Sequence, residues 1–134
     1  MLFQILTTFP GIIEGVAGES ILGRARQKGL IRVDPVNIRD FTSDRHHTTD
    51  DAPFGGGPGM VMKCEPVFSA VEALVSRAAG RKPRILLMTP QGRRFDQSMA
   101  EELAEESHII IICGRYEGVD ERIREHLVTD EVSI

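Results

Sequence analysis

Short apolar runs alternate along the chain with longer segments in which apolar residues recur at helical spacing. The runs predict strands at residues 2–8, 31–38, 84–89 and 109–113, and the spaced segments predict helices at 10–28, 65–80, 97–107 and 119–127, before a short final segment at 129–134. Four consecutive isoleucines at 109–112 are typical of a strand buried on both faces of a parallel sheet. Strands that alternate with helices in this way predict an α/β fold, a mostly parallel sheet with helices on both faces.

Glycine and proline mark the predicted boundaries of these elements. Gly18 breaks the first helical segment into two short helices, and Gly29 ends the second of them. Because Pro35 cannot donate a backbone hydrogen bond, we expect its strand near an edge of the sheet. The next helix is expected to close near Gly80, and Asp96 is expected to cap the helix after that.

Residues 39–62 show neither strand nor helix periodicity and are rich in Asp, His, Thr, Gly and Pro, which predicts a long loop. Loops of this length in a compact domain are usually functional or disordered, and the dense run at 53–60 favours a functional one. The glycines of this run match neither a P-loop nor a dinucleotide-binding motif, and Pro58 removes a backbone donor that a phosphate cradle needs. We expect a sharply folded loop, which would serve a site where a flat ligand approaches bare backbone.

Composition limits the class of protein. A chain of 134 residues suits one domain over residues 1–134, and two cysteines allow neither a disulfide framework nor a Cys-rich metal site. No secretory signal and no membrane-spanning apolar stretch is evident, so we expect a soluble, cytoplasmic protein that does not bind membranes. The net charge of -4 disfavours a general nucleic-acid coat, although basic residues concentrate before Asp96. They suit phosphate contacts and ordinary solvated faces about equally well.

Two candidate chemistries find little support in the residues. His46, His47, Asp50 and Asp51 are metal-ligating types, but their spacing matches no metal motif and an irregular loop gives them no defined geometry, so we expect no metal. No spacing of serine or cysteine with histidine supports nucleophilic catalysis. The apolar surroundings of Cys113 are expected to raise its pKa and make it a poor nucleophile.

Two strand ends hold the most informative residues. The third predicted strand is expected to stop at Thr-Pro-Gln-Gly, residues 89–92, and the isoleucine strand ends in Gly-Arg-Tyr-Glu-Gly, residues 114–118. Ligands of open parallel sheets bind beyond the carboxyl ends of the strands, so neighbouring strands would place both segments along one rim. Free backbone groups, the single tyrosine Tyr116 and the carboxylate of Glu117 predict a nucleoside-type ligand, without determining the reaction.

The motifs at these positions resemble those of the bacterial tRNA (guanine-N1)-methyltransferases, the TrmD family of the knotted SPOUT class. In chain order they are Phe-Pro at 9–10, Arg-Asp-Phe-Thr at 39–42, Asp-Asp at 50–51, Pro-Phe-Gly-Gly-Gly-Pro-Gly-Met at 53–60, Pro-Gln-Gly-Arg at 90–93 and Cys-Gly-Arg-Tyr-Glu-Gly-Val-Asp-Glu-Arg at 113–122. Several long motifs in the right order, over essentially the whole chain, argue against chance similarity. Phe54 stands where tyrosine is frequent in the family.

The resemblance implies transfer of a methyl group from S-adenosylmethionine to N1 of the guanosine 3′ of the anticodon, at tRNA position 37. The positions that match the family's cofactor site are Leu87, Met88, Thr89, Pro90, Gln91, Gly114, Tyr116, Glu117, Gly118, Ser133 and Ile134. The positions that match RNA or guanine contacts are Asp50, Gly57, Pro58, Gly59 and Arg115. Guanine N1 must lose a proton and face the sulfonium methyl, and Glu117 and Arg115 are expected to support that step. A homodimer and the tRNA anticodon stem-loop are the partners that the resemblance implies.

The end of the chain departs from the family's pattern. In the family, the chain continues past Ser-Ile into Gly-Asp-Tyr, a threaded glycine-rich segment that forms the knot, and a helical RNA-binding domain. The residue taken as the family's general base lies in that continuation, beyond Ile134. We therefore expect an incomplete SPOUT domain, part of a longer chain, with little or no activity alone. A non-catalytic nucleotide- or cofactor-binding module and an RNA-binding protein that uses its basic loops remain as alternatives.

Overall fold

The computed structural model describes residues 1–78 and 82–134 of the chain. Its helices are α1 (Pro10–Ala17), α2 (Ser20–Gln27), α3 (Cys64–Arg77), α4 (Gln97–Ala104) and α5 (Glu121–His126), with a 3-10 helix at Ile38–Phe41. Its strands are β1 (Leu2–Thr7), β2 (Arg32–Asn37), β3 (Asp50–Asp51), β4 (Val61–Met62), β5 (Arg84–Arg94), β6 (His108–Cys113) and β7 (Asp130–Ser133).

Five strands form one parallel sheet in the order β2-β1-β6-β5-β7. The isoleucine strand β6 lies at its centre, because side chains without polar groups are tolerated where both faces are covered. β2, which contains Pro35, lies at one edge of the sheet. There the N–H that proline lacks is not needed for a hydrogen bond to a neighbouring strand. The α/β class, the parallel sheet and the positions of these two strands are confirmed.

Helices pack on both faces of the sheet, as predicted. On one face, α3, α5 and the 3-10 helix close the larger apolar core, whose buried members include Leu6, Ile38, Val67, Val71, Leu87, Ile110, Ile112 and Ile123. On the other face, Met99 and Leu103 of α4 pack on Leu86, Ile109 and Val132. α1 and α2 lie on this second face, where Ile13 and Leu22 line a groove with Phe3 and Ile5.

The second face is covered only in part. Between α1 and α4 the sheet forms the floor of two apolar clefts of about 390 and 540 Å³, and Met88, Ile111, Val132 and Ile134 line both. Across the described ranges, no helix is both long and apolar enough to cross a bilayer.

Local signals explain several helix ends. Gly29 follows α2 with φ of +68°, and the N–H groups of Gly29 and Leu30 donate to the carbonyls of Arg26 and Ala25, as in a Schellman cap. The carboxylate of Asp96 accepts a hydrogen bond from the N–H of Met99 at the start of α4. The break near Gly18 and both cap predictions are confirmed, whereas the expected end of the third helix near Gly80 lies outside the described residues.

The loop prediction for residues 39–62 is wrong in part. The segment contains the 3-10 helix and the antiparallel pair β3 and β4, in which Asp50 lies opposite Met62 and Asp51 opposite Val61. Strands of two residues carry no readable periodicity, because their pairing depends on contacts that are distant in sequence.

The expected stop of the third strand at residues 89–92 is also wrong. β5 continues to Arg94 through a bulge: Met88 and Arg93 both lie opposite Val132, and Arg94 lies opposite Ser133. β7 forms from the final segment, to which no element was assigned. A Cβ on Gly92 would contact the backbone N of Val132 and lie 2.7 Å from the carbonyl O of Glu131, so only glycine lets β5 pass this close to β7.

Candidate active site at the ends of β5 and β6

The turn at residues 114–118 leaves the central strand β6 and is fixed against β4. The N–H of Glu117 donates to the carbonyl of Met60 (3.0 Å), and the N–H of Met62 donates to the carbonyl of Gly118 (2.9 Å). The N–H of Asp120 then donates to the carbonyl of Met62 (2.9 Å). These three backbone bonds join the glycine-rich loop at 53–60 to the turn after β6, so the two predicted site segments form one unit.

Tyr116 adopts a backbone conformation that is rare for a residue with a side chain, with φ of +67°. Its hydroxyl lies 3.4 Å from Oγ1 of Thr49, and Thr49 is fully buried. The carbonyl of Thr49 accepts a hydrogen bond from the N–H of Lys63, which ties this threonine to the end of β4. A strained residue held by several neighbours is typical of a functional turn.

The side chain of Glu117 lies against the bare Cα of Gly59. A Cβ built on Gly59 would contact Cγ of Glu117 and would lie 3.2 Å from its Cδ and 3.4 Å from its Oε1. Gly59 also has φ of +90°, in the region that favours glycine. The loop predicted to meet guanine and the carboxylate predicted to meet the cofactor therefore touch one another.

On the β5 side of the rim, a segment of backbone lies outside the sheet ladder. The last pair between β5 and β6 joins Met88 to Cys113, and within the described sheet residues 89–92 have no ladder partner on either neighbouring strand. Gly114 lies beside this segment, since a Cβ on it would come 3.9 Å from the carbonyl O of Met88. The N–H of Gln91 donates to Oγ1 of Thr89 at 3.4 Å, and the carbonyls outside the ladder can recognise the edge of a base without help from side chains.

A cleft of about 540 Å³ opens beside this backbone. Its lining includes five residues predicted to hold the cofactor, namely Met88, Thr89, Pro90, Ser133 and Ile134, together with Cys113. Burial raises the pKa of the Cys113 thiol, the direction predicted from its apolar surroundings. The side chain of Leu87 is buried in the core on the opposite face, so this residue can offer a ligand only its backbone.

Two arginines lie at the margin of the turn. The guanidinium of Arg115 lies 4.5 Å from the ring centroid of Phe9, a cation–π contact that connects the turn to the end of β1. Arg122 makes a two-point ion pair with Asp120, at 2.9 and 2.6 Å, and this hydrogen bonding lowers the pKa of Asp120. Asp120 also caps α5 through the N–H of Arg122, so one carboxylate fixes both the helix and the end of the turn.

The structure brings most of the predicted site residues to one rim but divides them between its two sides. One group, on the side of β4, consists of Gly59, Tyr116, Glu117 and Gly118. Asp50 is connected to this group because it pairs with Met62 of β4. Met88, Thr89, Pro90, Ser133 and Ile134 meet on the side of the cleft, and Gly114 lies between the two groups.

Sequence reasoning missed Thr49, Met60 and Met62, which hold the turn in place. The apolar sequence Met60-Val61-Met62 directly after the glycine run was the one available signal, because it interrupts an otherwise polar loop. Thr49 gave none, since a single threonine in a polar segment is usually exposed.

The histidines of the long loop take part in local bonds. Nδ1 of His47 lies 3.0 Å from both Oγ1 of Thr42 and the carbonyl O of Arg39. Asp44 accepts hydrogen bonds from Thr48 and from the N–H of His46, and the bonds from Thr48 lower the pKa of Asp44. In the described part of the chain, no group of three or more His, Cys, Asp and Glu side chains is arranged to hold a metal ion.

Comparisons with known proteins identify relatives of the chain. A family model described as tRNA (Guanine-1)-methyltransferase TrmD matches residues 1–134. The chain is 56% identical over all 134 residues to the tRNA (guanine-N(1)-)-methyltransferase of Bacillus subtilis (strain 168) and to that of Bacillus cereus (strain AH820), and it covers 55% and 54% of their lengths. It thus spans about half the length of these curated relatives.

A solved structure shares the fold. The crystal structure of tRNA (m1G37) methyltransferase from Aquifex aeolicus superposes with a TM-score of 0.90 at 40% sequence identity, covering 100% of this chain and 59% of that one. The whole described fold therefore has a close structural counterpart. This fold includes the bulged β5, the short β3–β4 pair and β7.

Proposed function

The chain belongs to the TrmD family of tRNA (guanine-1)-methyltransferases, and from this we propose that the protein carrying it methylates N1 of the guanine at position 37 of tRNA. The observation that supports the proposal most directly is the rim itself. Residues 89–92 bulge out of the ladder of β5, beside the fixed turn at residues 114–118 after β6. This is the arrangement expected of a nucleoside-type cofactor site in an open parallel sheet.

The donor set of the rim fits S-adenosylmethionine. The backbone of residues 89–91 lies outside the sheet ladder and its carbonyls suit the amino group of an adenine edge, and the apolar cleft beside Met88 and Ile134 suits the uncharged parts of the molecule. Leu87, Gly114, Gly118 and Ser133 would add backbone contacts. When bound, the cofactor supplies an electrophilic methyl group.

The residues near β4 would hold the guanine and its RNA. Asp50 and the loop of Gly57, Pro58 and Gly59 lie on the β4 side of the turn, where a base can approach bare backbone. The cation of Arg115, exposed at the rim, would contact a phosphate or the base. Glu117 and Tyr116 would orient the reacting groups, and the carboxylate of Glu117 would favour departure of the N1 proton.

Partners are proposed on the same basis. We expect the anticodon stem-loop of tRNA as substrate, a second copy of the chain as a homodimer partner, and work in the cytoplasm, where tRNA is modified. Because the chain covers 55% of the Bacillus subtilis relative, the proposal includes a contribution to the site from the remaining part of such a protein. The 134 residues alone are then expected to transfer methyl groups slowly or not at all.

Calorimetric titration with S-adenosylhomocysteine tests the cofactor assignment. Binding by the chain is expected to weaken roughly tenfold in Tyr116→Ala or Glu117→Ala, the size expected when one good polar or stacking contact is lost. Ser69→Ala, an exposed substitution on α3, provides the control. Tight binding of ATP or NAD without any response to S-adenosylhomocysteine would favour a cofactor-binding module instead.

Methyl transfer tests the reaction. The chain is joined to the remaining half of the Bacillus subtilis relative and assayed with unmodified tRNA and radiolabelled S-adenosylmethionine. Transfer to guanosine 37 in the joined protein, with loss on replacing guanosine 37 by adenosine, is the expected result. An inactive joined protein that binds S-adenosylhomocysteine normally would contradict the assigned reaction.

A further inference from the structure

One contact in the site joins two segments that the proposed function assigns to different ligands. Gly59 belongs to the glycine-rich loop on the guanine side, and Glu117 belongs to the turn on the cofactor side. A Cβ on residue 59 would occupy the space of Cγ of Glu117 and lie 3.2 Å from its Cδ. The approach to Cγ is closer than real Cβ atoms come to any neighbour, so any larger residue at position 59 must displace the Glu117 side chain.

The backbone on both sides of this contact is tied down. The N–H of Glu117 is bonded to the carbonyl of Met60, and the carbonyl of Gly118 is bonded to the N–H of Met62. The two segments therefore cannot separate to relieve a clash without breaking these bonds. Relief must come from the side chain of Glu117, which is free to rotate because it is exposed at the rim.

We propose that Gly59 is a positioning residue for Glu117: its missing side chain lets the Glu117 carboxylate lie across the glycine-rich loop. This inference rests on the proposed function for the role of Glu117, but the steric contact itself is independent of any ligand. The size of the residue at position 59 then determines where the carboxylate of Glu117 lies, and thereby the affinity of the site for the cofactor.

The neighbouring glycine Gly56 provides a matched control. Gly56 has φ of +82°, close to the +90° of Gly59, so alanine at either position causes similar backbone strain. A Cβ on Gly56 meets no atom within 4 Å, whereas a Cβ on Gly59 meets Glu117. The difference between Gly56→Ala and Gly59→Ala therefore isolates the contact with the carboxylate side chain.

Three measurements on the chain test the proposal. The first is the dissociation constant of S-adenosylhomocysteine by calorimetry. The second is the intrinsic tyrosine fluorescence, which reports on this turn alone because Tyr116 is the single tyrosine and the chain has no tryptophan. The third is the urea midpoint of unfolding for Gly59→Ala, Glu117→Ala and the double variant.

Gly59→Ala is expected to weaken cofactor binding roughly tenfold, the loss of one hydrogen bond to a charged group, and to change the tyrosine emission, whereas Gly56→Ala does neither. Gly59→Ala is also expected to lower the urea midpoint more than Gly56→Ala does. In the Glu117→Ala background the atoms that clash are absent, so the excess loss from Gly59→Ala disappears.

Equal effects of the two glycine substitutions, or an excess loss that persists in the Glu117→Ala background, would overturn the proposal. If Gly59→Ala does not fold, recovery of folding in the double variant supports the contact, and failure to recover contradicts it. If S-adenosylhomocysteine binds neither the chain nor the protein in which it is joined to the remaining half of the Bacillus subtilis relative, the proposed function fails, while the urea midpoints still decide whether Gly59 positions Glu117.

Discussion

Single residues in this chain determine how closely its strands approach. Gly92 lies in the bulge of β5, where the backbone of Val132 and Glu131 occupies the space that a side chain would need. Tyr116 and Glu117 are contacted by Thr49, Met60 and Gly59 on the β4 side of the rim. At Gly92 the neighbouring atoms are backbone and cannot move aside cheaply, whereas at Gly59 the neighbour is the exposed side chain of Glu117, which can rotate.

Gly92→Ala is expected to lower the free energy of unfolding by about 2–3 kcal/mol, because the added methyl group overlaps the backbone of β7. Gly15→Ala is the control: it lies within α1 with nothing within 4 Å of its Cβ position, and alanine there should stabilise the helix by about 0.5–1 kcal/mol. Urea unfolding of the two variants measures both effects. Unchanged stability in Gly92→Ala would show that β7 can move away from β5.

At the scale of elements, an ion-pair network fastens the β7 edge of the sheet. Arg84 of β5 donates to both oxygens of Asp130 on β7, at 2.8 and 2.7 Å, and to Glu102 of α4 at 2.6 Å. Its side chain and that of Asp130 are each 21% exposed, so the pair is shielded from much of the solvent. Hydrogen bonding from Arg84 lowers the pKa of both Asp130 and Glu102.

Arg84→Met is expected to cost about 1–2 kcal/mol of unfolding free energy at pH 7, since it leaves Asp130 half-buried without its partner. Because the folded-state pKa of Asp130 lies below its ordinary value of 3.8, this contribution is present above that value and is lost as the pH falls below it. The stabilities of the original chain and of Arg84→Met should therefore converge on acidification from pH 7 towards pH 3.

The control for this prediction is Arg93→Met, which removes an ion pair with Glu102 whose members are 52% and 41% exposed. An exposed pair of this kind is expected to contribute less than about 1 kcal/mol. Unfolding in urea across the pH range provides the measurement. A difference between the original chain and Arg84→Met that stays constant with pH would mean that Asp130 does not titrate as described.

Elements differed in how well the sequence predicted them. β6 was readable because four isoleucines in a row suit only a buried strand, and α2 and α4 were readable because Gly29 and Asp96 mark their ends. β4 was not readable, because its residue Met62 is held by Gly118 and Asp120, which lie more than fifty positions further along the chain. The bulge of β5 was read as a turn, since Pro90 and Gly92 also favour turns.

The candidate site shows the same division. Glu117 and Tyr116 stood out by their position after a buried strand and by their resemblance to a known motif. Their contacts with Gly59 and Thr49 could not be predicted, because a glycine or threonine in a polar loop gives no indication of what it will touch. The sequence thus predicted which residues belong to the candidate site. It did not predict the contacts that orient their side chains.

At the scale of the whole molecule, the second face of the sheet is its most unusual surface. Apolar clefts lie between α1 and α4, and the neighbouring helices carry apolar side chains that point to solvent, with Ile12 66% and Ile21 70% exposed. An apolar surface of this extent is typical of a protein–protein interface. It agrees with the proposed homodimer.

We expect the chain to self-associate with rising concentration, and Ile12→Glu with Ile21→Glu to make it monomeric, because charge is costly to bury at an apolar interface. Ser69→Glu with Ser76→Glu adds the same charge on exposed positions of α3, on the other face, and serves as the control. Sedimentation velocity over a range of concentrations distinguishes the cases. Equal sedimentation of both double variants would show that α1 and α2 do not form the interface.

The strand order β2-β1-β6-β5-β7 has a consequence for biosynthesis. β1 leaves the ribosome well before its central neighbour β6: the hydrogen-bonded side chains of Gln4 and His108 are 104 positions apart. Until β6 emerges, β1 has only β2 beside it and one of its edges stays open to other chains. Pairing at such separation is slow, so we expect the open edge of β1 to be prone to aggregation while translation continues.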